Sequence, residues 1–285
     1  MMLTVNLFTP TFAHDECSTA WKTSKHIRYV REQMEFDGIT IFTDGLINSP
    51  IVQQVKSPIK IGWLREPECL HPEDYAQAFD NRYKFAFILT YYQPLIDADP
   101  DKFRFVPYGG AWIKREHWGI APKTKLVSML YGSKMSTYGH ILRHDIAGEL
   151  GDNYGIDYYG FRGTPTDYSA ETKRRVLQDY AFSIVTETCR QDNLFTEILL
   201  DCFAVGTVPI FWGCPNAGYF FDQLGIVPFV GVDNLRYILR MFATMKTYTE
   251  MLPYIKTNLD LVGEYEIAED WLWDRVLKDY GVIGL

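Results

Sequence analysis

At 285 residues and 47% hydrophobic content, the chain can bury a sizeable core and is long enough for two domains. Its 28 Lys and Arg against 36 Asp and Glu give a formal net charge of −8, which argues against a nucleic-acid surface, since neutralising phosphates needs a basic footprint. A local basic pocket for a single diphosphate is still compatible with that balance.

Strand and helix signals alternate along the chain. LTVNLFTP, ITIFTDG, IKIGWLRE, FAFILTY and FRFVPYG are short β-branched or aromatic runs that read as strands. Helices are expected between the first of them, over residues 18–35 and 72–82. Residues 109–125, GGAWIKREHWGIAPKTK, break the pattern with glycine, proline and charge and read as an inter-domain connection. The alternation then restarts with KLVSMLYGS, a helix near 139–150, IDYYG, a helix near 170–180, AFSIVTE, a helix over 195–205, TVPIFWG and IVPFVG. Mostly helical sequence follows. The expected fold is α/β: two Rossmann-like, doubly wound domains facing across a cleft. A single large α/β sheet is the alternative. The expected boundaries are 1–115, an N-terminal α/β domain, 116–262, a C-terminal α/β domain, and 263–285, a C-terminal helix packing back on the first domain.

The chemistry concentrates in the second half. In an open parallel sheet, ligands bind beyond the carboxyl ends of strands, beside helix N-termini. There the sequence places Glu187 at a strand end, a polar turn, and a helix with Thr196 and Glu197 in its first turn. Upstream, YGSKMSTYGHILRHD carries Lys134 past a strand and His140, Arg143 and His144 on one helix face. Arginine's rigid fork suits phosphate. A solvated helix start with surface charge is the competing explanation.

These pieces together resemble the C-terminal, donor-binding domain of glycosyltransferase family 10, the α1,3/4-fucosyltransferases. The family pattern of Phe-Glu-Asn, a polar loop, Tyr-Val-Thr-Glu-Lys, Gly-Thr-Val/Ile-Pro and Trp/Tyr-Gly-x-Pro is met here by VTET (185–188), LFTEI (194–198), GTVP (206–209) and WGCP (212–215). Ser133-Lys134 and Arg143 are similar to the upstream Ser-Asn and helical Arg. The likeness is strong over about 125–230 and mainly architectural before that. Two positions depart from the family: its Asn is Thr188 and its Lys is Ile198. A missing charge-assisted contact costs about 1.5–3 kcal/mol, with Arg190 and Lys134 as nearby candidates to compensate.

The resemblance implies a GT-B-like fold, with residues 1–115 as the acceptor-side domain and 116–262 as the nucleotide-sugar-binding domain, and an inverting transferase that moves L-fucose from GDP-fucose to a glycan hydroxyl. No DxD triplet in a supporting strand context stands out, so neither a divalent metal nor another cofactor is expected. Arg143 with Lys134 would counter the diphosphate and Glu197 would orient the donor. His140, Tyr159, Glu187, Thr188, Arg190, Thr196 and Ile198 would line the donor site. Asp157-Tyr158-Tyr159-Gly160 is explained equally well as a strand-end turn. The family's general base, a Glu after an N-terminal-domain strand, would be Glu66 in REPE, with Glu68 in reserve and a loop ion pair with Arg65 as the alternative. A different nucleotide sugar, or a non-catalytic glycan- or nucleotide-binding relative, fits the two departures as well. Trp63, Trp112 and Trp118 stack on sugars or pack in cores.

Five scattered cysteines without a CxxC pair point to a reduced compartment rather than a disulfide framework or zinc site. No apolar run reaches the roughly 18 residues of a membrane span, and MMLTVNLFTPTF lacks the basic and long apolar regions of a signal peptide. The expectation is a cytoplasmic protein, in a bacterial or viral-host cytosol, whose partners are a sugar nucleotide and a glycan and not nucleic acid.

Overall fold

The computed structural model describes residues 2–12 and 16–278. Two compact units emerge: the described residues up to 110 with 192–194 and 267 onward, and residues 111–191 with 195–266.

The first unit is a parallel sheet of β1 (Leu3–Phe8), β2 (Ile27–Arg31), β3 (Ile39–Thr43), β4 (Ile59–Trp63), β5 (Phe87–Thr90) and β6 (Phe103–Phe105) in the order β2-β1-β3-β4-β5-β6. Helices α1 (Ile51–Gln54), α2 (Pro72–Asn81) and α3 (Gln93–Ala98) lie between its strands in sequence. Its inner strands are mostly buried on both faces and largely apolar, with Asn6, Thr40, Thr43 and Thr90 as buried polar exceptions. One face, built from Val5, Leu7, Ile39, Ile41, Ile61, Trp63, Phe87 and Leu89, packs against Ala268, Leu272 and Leu277. The last described stretch of chain therefore completes this core, as α9 (Ala268–Leu272) followed by a π-helical turn, Trp273–Leu277. Residues from 279 onward, part of the expected C-terminal helix, lie outside the described residues.

One expectation fails here. Residues 18–35 do not form a helix; within them, IRYVR becomes the edge strand β2, in parallel register with β1 from Leu3↔Ile27 to Leu7↔Arg31. The physical reason is tertiary. The free edge of β1 offers a ladder to a β-branched and aromatic run, and the buried Asn6 side chain clamps the far end by donating to the Gln33 carbonyl and accepting from its N–H.

The second unit is a parallel sheet of β7 (Lys125–Tyr131), β8 (Ile156–Gly160), β9 (Tyr180–Thr186), β10 (Val208–Trp212) and β11 (Val227–Pro228), ordered β11-β10-β9-β7-β8. Helices α4 (Tyr138–Leu150), α7 (Val232–Met241) and α8 (Met245–Leu261) cover the face carrying Val127, Met129, Phe182, Ile184, Val208 and Ile210. Helices α5 (Ala170–Gln178) and α6 (Glu197–Ala204) cover the other, through Val176, Leu177 and Cys202 against Leu130, Val185 and Ile113. The expected connection contributes directly to this core: Ile113 is buried, and its carbonyl accepts from the Trp118 indole at 2.9 Å.

Helix α6 ends in a Schellman motif. The Gly206 N–H bonds the Phe203 carbonyl, the Thr207 N–H bonds that of Cys202, and Gly206 takes φ 68°. A Cβ at Gly206 would stand 2.8 Å from Ile120 Cγ1, so both conformation and space demand glycine there. Gly206→Ala is expected to destabilise the protein by about 1–3 kcal/mol, read as a lowered urea midpoint with an unchanged m-value.

Candidate active site

Helix α4 begins beyond the carboxyl end of β7, where Thr137 caps it by accepting from the His140 N–H at 3.3 Å. One turn further on, Arg143 reaches the last residue of β9: its Nε donates to Thr186 Oγ1 at 2.7 Å and one terminal nitrogen donates to the Thr186 carbonyl. Burial pushes its pKa down, while the charges of Glu187 and Glu197 push it back up. Gly139 makes this packing possible, since a Cβ there would lie 1.9 Å from the Glu187 carbonyl oxygen.

Glu187 follows directly and is 1% exposed. Its Oε1 accepts the Thr196 N–H at 2.8 Å and its Oε2 accepts the Thr196 hydroxyl at 2.9 Å. The Glu187 carboxyl group is thereby held at the start of α6, and Thr196 Oγ1 in turn accepts from the Ile198 N–H at 3.4 Å. Two of the first-turn donors expected to face a bound anion are thus occupied by the protein itself. Burial raises the Glu187 pKa to about 8, with Glu197 adding to the rise and Thr196 and Arg143 opposing it.

Glu197 opens α6, and its Oε1 receives a hydrogen bond from Lys173 Nζ at 3.0 Å. The same ammonium lies 3.5 Å from Asp201 Oδ2 and 3.7 Å from the centre of the Trp112 ring. Asp201 Oδ1 accepts the backbone N–H groups of Trp112 and Ile113 at 2.8 and 2.9 Å. Lys173 and Asp201 were not singled out from sequence. The available signal was weak: two acids one turn apart on a helix, and a lysine three and four residues before Val176 and Leu177 on the apolar side of α5.

The other candidates divide. His140 is buried with Nδ1 3.1 Å from Ser136 Oγ, and burial with the neighbouring charges of Arg143, Lys134 and His144 lowers its pKa to about 4. Lys134 is exposed but belongs to that positive cluster, whereas Arg190 is exposed on the loop beyond β9. Thr188 contributes its carbonyl, which accepts from the Gly139 N–H at 3.1 Å. Ile198 lines a small cavity of about 30 Å³ with Leu130, Val176, Leu177 and Val185, and adds no polar group. Tyr159 does not join the group: its hydroxyl lies 2.6 Å from that of Tyr180, which donates to Asp157. Tyr180 starts β9, at the opposite end of that strand from Thr186. The aromatic body of Tyr159 is drawn into the α5–α6 face, which carries its hydroxyl to the amino end.

In the first unit, Glu66 sits in the loop after β4, half-buried. Asp44 Oδ1 accepts from the Arg65 and Glu66 N–H groups at 2.6 and 2.9 Å, and Tyr75 donates to the Glu66 carbonyl at 2.7 Å. Asp44, 5% exposed and held at φ 50°, is therefore the organiser of this loop. The Glu68 N–H bonds the Tyr91 hydroxyl at 2.9 Å. Trp63 is a core residue at 1% exposure, and Trp112 covers Lys173. Among the described residues, no three His, Cys, Asp or Glu side chains converge as metal ligands, and no helix is long and apolar enough to cross a membrane.

The raised Glu187 pKa has a signed consequence. The folded state binds this proton more tightly than the unfolded chain, so the stabilisation is complete at low pH and is lost as pH rises towards about 8. Glu187→Gln removes that dependence. The unfolding free energy of the wild type minus that of the variant should fall between pH 5 and 8, checked by denaturant titrations of both proteins; a difference independent of pH would contradict it.

A family model described as Glycosyltransferase family 10 (fucosyltransferase) C-term matches residues 120–265, just over half of the chain. Among curated protein sequences nothing matches. Among solved structures, an α1,3-fucosyltransferase superposes with a TM-score of 0.57 at 13% identity, covering 99% of this chain and 89% of that one. An α1,3-fucosyltransferase crystal structure with GDP gives 0.55 at 13%, covering 93% and 90%. A UDP-forming α,α-trehalose-phosphate synthase from Burkholderia xenovorans, in complex with glucose-6-phosphate, gives 0.55 at 11%, covering 88% and 74%. At these identities the likenesses establish the fold, GT-B. With the family match over the sheet and helices that bear Arg143, Glu187 and Glu197, they lead to one assignment: the chain is a glycosyltransferase and belongs to family 10, the fucosyltransferases.

Proposed function

We propose that the protein transfers L-fucose from GDP-fucose to a hydroxyl of a glycan, with inversion at the sugar's anomeric carbon. The observation that carries this reading is the gathering of Arg143, Glu187, Thr196 and Glu197 around the carboxyl end of β9, inside the family's matched region. The solved relatives support the choice of donor, since α1,3-fucosyltransferase structures carry GDP or GDP-fucose.

In this reading the acceptor oxygen attacks the anomeric carbon as the bond to the β-phosphate oxygen breaks. The leaving diphosphate gains negative charge as that bond lengthens, and Arg143 with Lys134 stabilises it. Glu197 accepts a hydroxyl of the donor and fixes its position. Glu187 binds no substrate; it caps α6 and holds Thr196. Glu66 takes the proton from the acceptor hydroxyl, on a loop whose backbone Asp44 has already fixed.

A second reading keeps the reaction and changes the donor. It is favoured by Ile198, which lines a small cavity without adding a polar group at a position where the family resemblance implies a lysine. Thermal unfolding with a panel of sugar nucleotides separates the two. A ligand present at a hundred times its Kd stabilises by about 2.7 kcal/mol; GDP-fucose should give the largest shift, and a larger shift with another sugar nucleotide selects the second reading.

The base assignment has its own test. Glu66→Gln should lower kcat by about 10²–10⁴ while donor affinity stays within about threefold, and Glu68→Gln should leave kcat near that of the wild type. The reverse pattern moves the base to Glu68.

A further inference from the structure

We propose that Lys173 is a positioning residue for the donor: it holds the Glu197 carboxylate in place from the neighbouring helix and neutralises it beside Arg143. The inference rests on the donor-site reading above and deepens it.

The Lys173 side chain is 7% exposed, and its ammonium faces two carboxylates of α6, one turn apart. They are not equivalent. Asp201 is sealed, with a side chain 1% exposed, and its Oδ1 is committed to the backbone of Trp112 and Ile113. At 3.5 Å its Oδ2 makes no hydrogen bond to Lys173. The hydrogen bond goes instead to Glu197 Oε1 at 3.0 Å, and the Glu197 side chain is 19% exposed. Asp201 and the Trp112 ring thus fix the ammonium from behind, and Glu197 is the end of the cluster that opens outward.

Two consequences follow for an anionic ligand. Without a partner, Glu197 would repel a diphosphate approaching Arg143, whose guanidinium already senses the Glu197 charge. Lys173 cancels that charge locally. The bond to Oε1 also restricts rotation of the carboxylate, so that Oε2, which no described group bonds, is presented in one orientation to a donor hydroxyl. Ile198 cannot do either task, because its side chain carries no charge; it lines a small cavity together with Lys173 and Asp201. The cation comes from α5 instead. A role in stability alone would not need this arrangement, since buried ion pairs contribute little net stability against apolar replacements of similar volume.

The test is a double-mutant cycle on donor affinity, measured by calorimetric titration of GDP-fucose into the wild type, Lys173→Met, Glu197→Gln and the double variant. If Lys173 acts through Glu197, each single variant weakens binding about tenfold and the double is no weaker than the worse single. With donor varied at saturating acceptor, the rise in KM for donor should exceed the fall in kcat, and Lys173→Arg should restore affinity to within about threefold. Lys173→Gln replaces Lys173→Met in the cycle if the latter does not fold. Binding by Lys173→Met within twofold of the wild type, or losses that multiply in the double variant, would overturn the inference while leaving the donor site standing. A wild-type protein that binds no sugar nucleotide would overturn both.

Discussion

A guanidinium held against the end of a buried strand is the constraint around which the second unit is arranged. Arg143 spends two of its donors on Thr186, the last residue of β9, and so ties α4 to the sheet at the point where β9 gives way to the loop before α6. The next residue, Glu187, turns inward rather than outward and caps α6 through Thr196. The strand end, the arginine and the helix start are thereby locked into one geometry before any ligand arrives. Such preorganisation is what a site needs when its task is to stabilise charge that develops during the reaction.

The charges at this point are balanced in layers. Glu187 is buried deeply enough to be held well above the ordinary carboxylate range, which limits how much negative charge stands behind Arg143 at neutral pH. Glu197 and Asp201 of α6 share Lys173 of α5. His140 is kept neutral by burial and by its cationic neighbours, so it adds hydrogen bonding through Ser136 without adding charge. Exposed Lys134 and half-buried Arg143 both act on His140 and make a local concentration of positive charge on a chain that is acidic overall. The net charge of −8 and a site for an anion are compatible because the positive field is local.

Much of the architecture was legible because parallel strands buried on both faces leave continuous apolar runs. TVPIFWG, AFSIVTE and ITIFTDG could hardly be read as anything else. Residues 18–35 were misread for the complementary reason: IRYVR is an edge strand whose pairing depends on Leu3–Phe8 and on the Asn6 clamp, which no local pattern announces. In the site, Arg143, Glu187 and Glu197 stood out by their place after strands. Glu187 proved to be a helix cap, since a carboxylate beside free helix amides binds them itself unless something prevents it. Lys173 was hidden because a lysine among Val176 and Leu177 looks like a solvated helix residue until its partners on α6 are known. Tyr159 was misplaced because strand position fixes a Cα, while its hydroxyl followed the ring towards Tyr180.

The central claim is that a diphosphate rests on Arg143 at the carboxyl end of β9, and the most direct measurement compares two ligands that differ only in their phosphates. Calorimetric titration of GDP and of guanosine into the wild type and Arg143→Gln should show a loss of affinity for GDP of at least about tenfold, with guanosine binding unchanged. Equal losses for both ligands, or undiminished GDP affinity in a folded variant, would contradict the account.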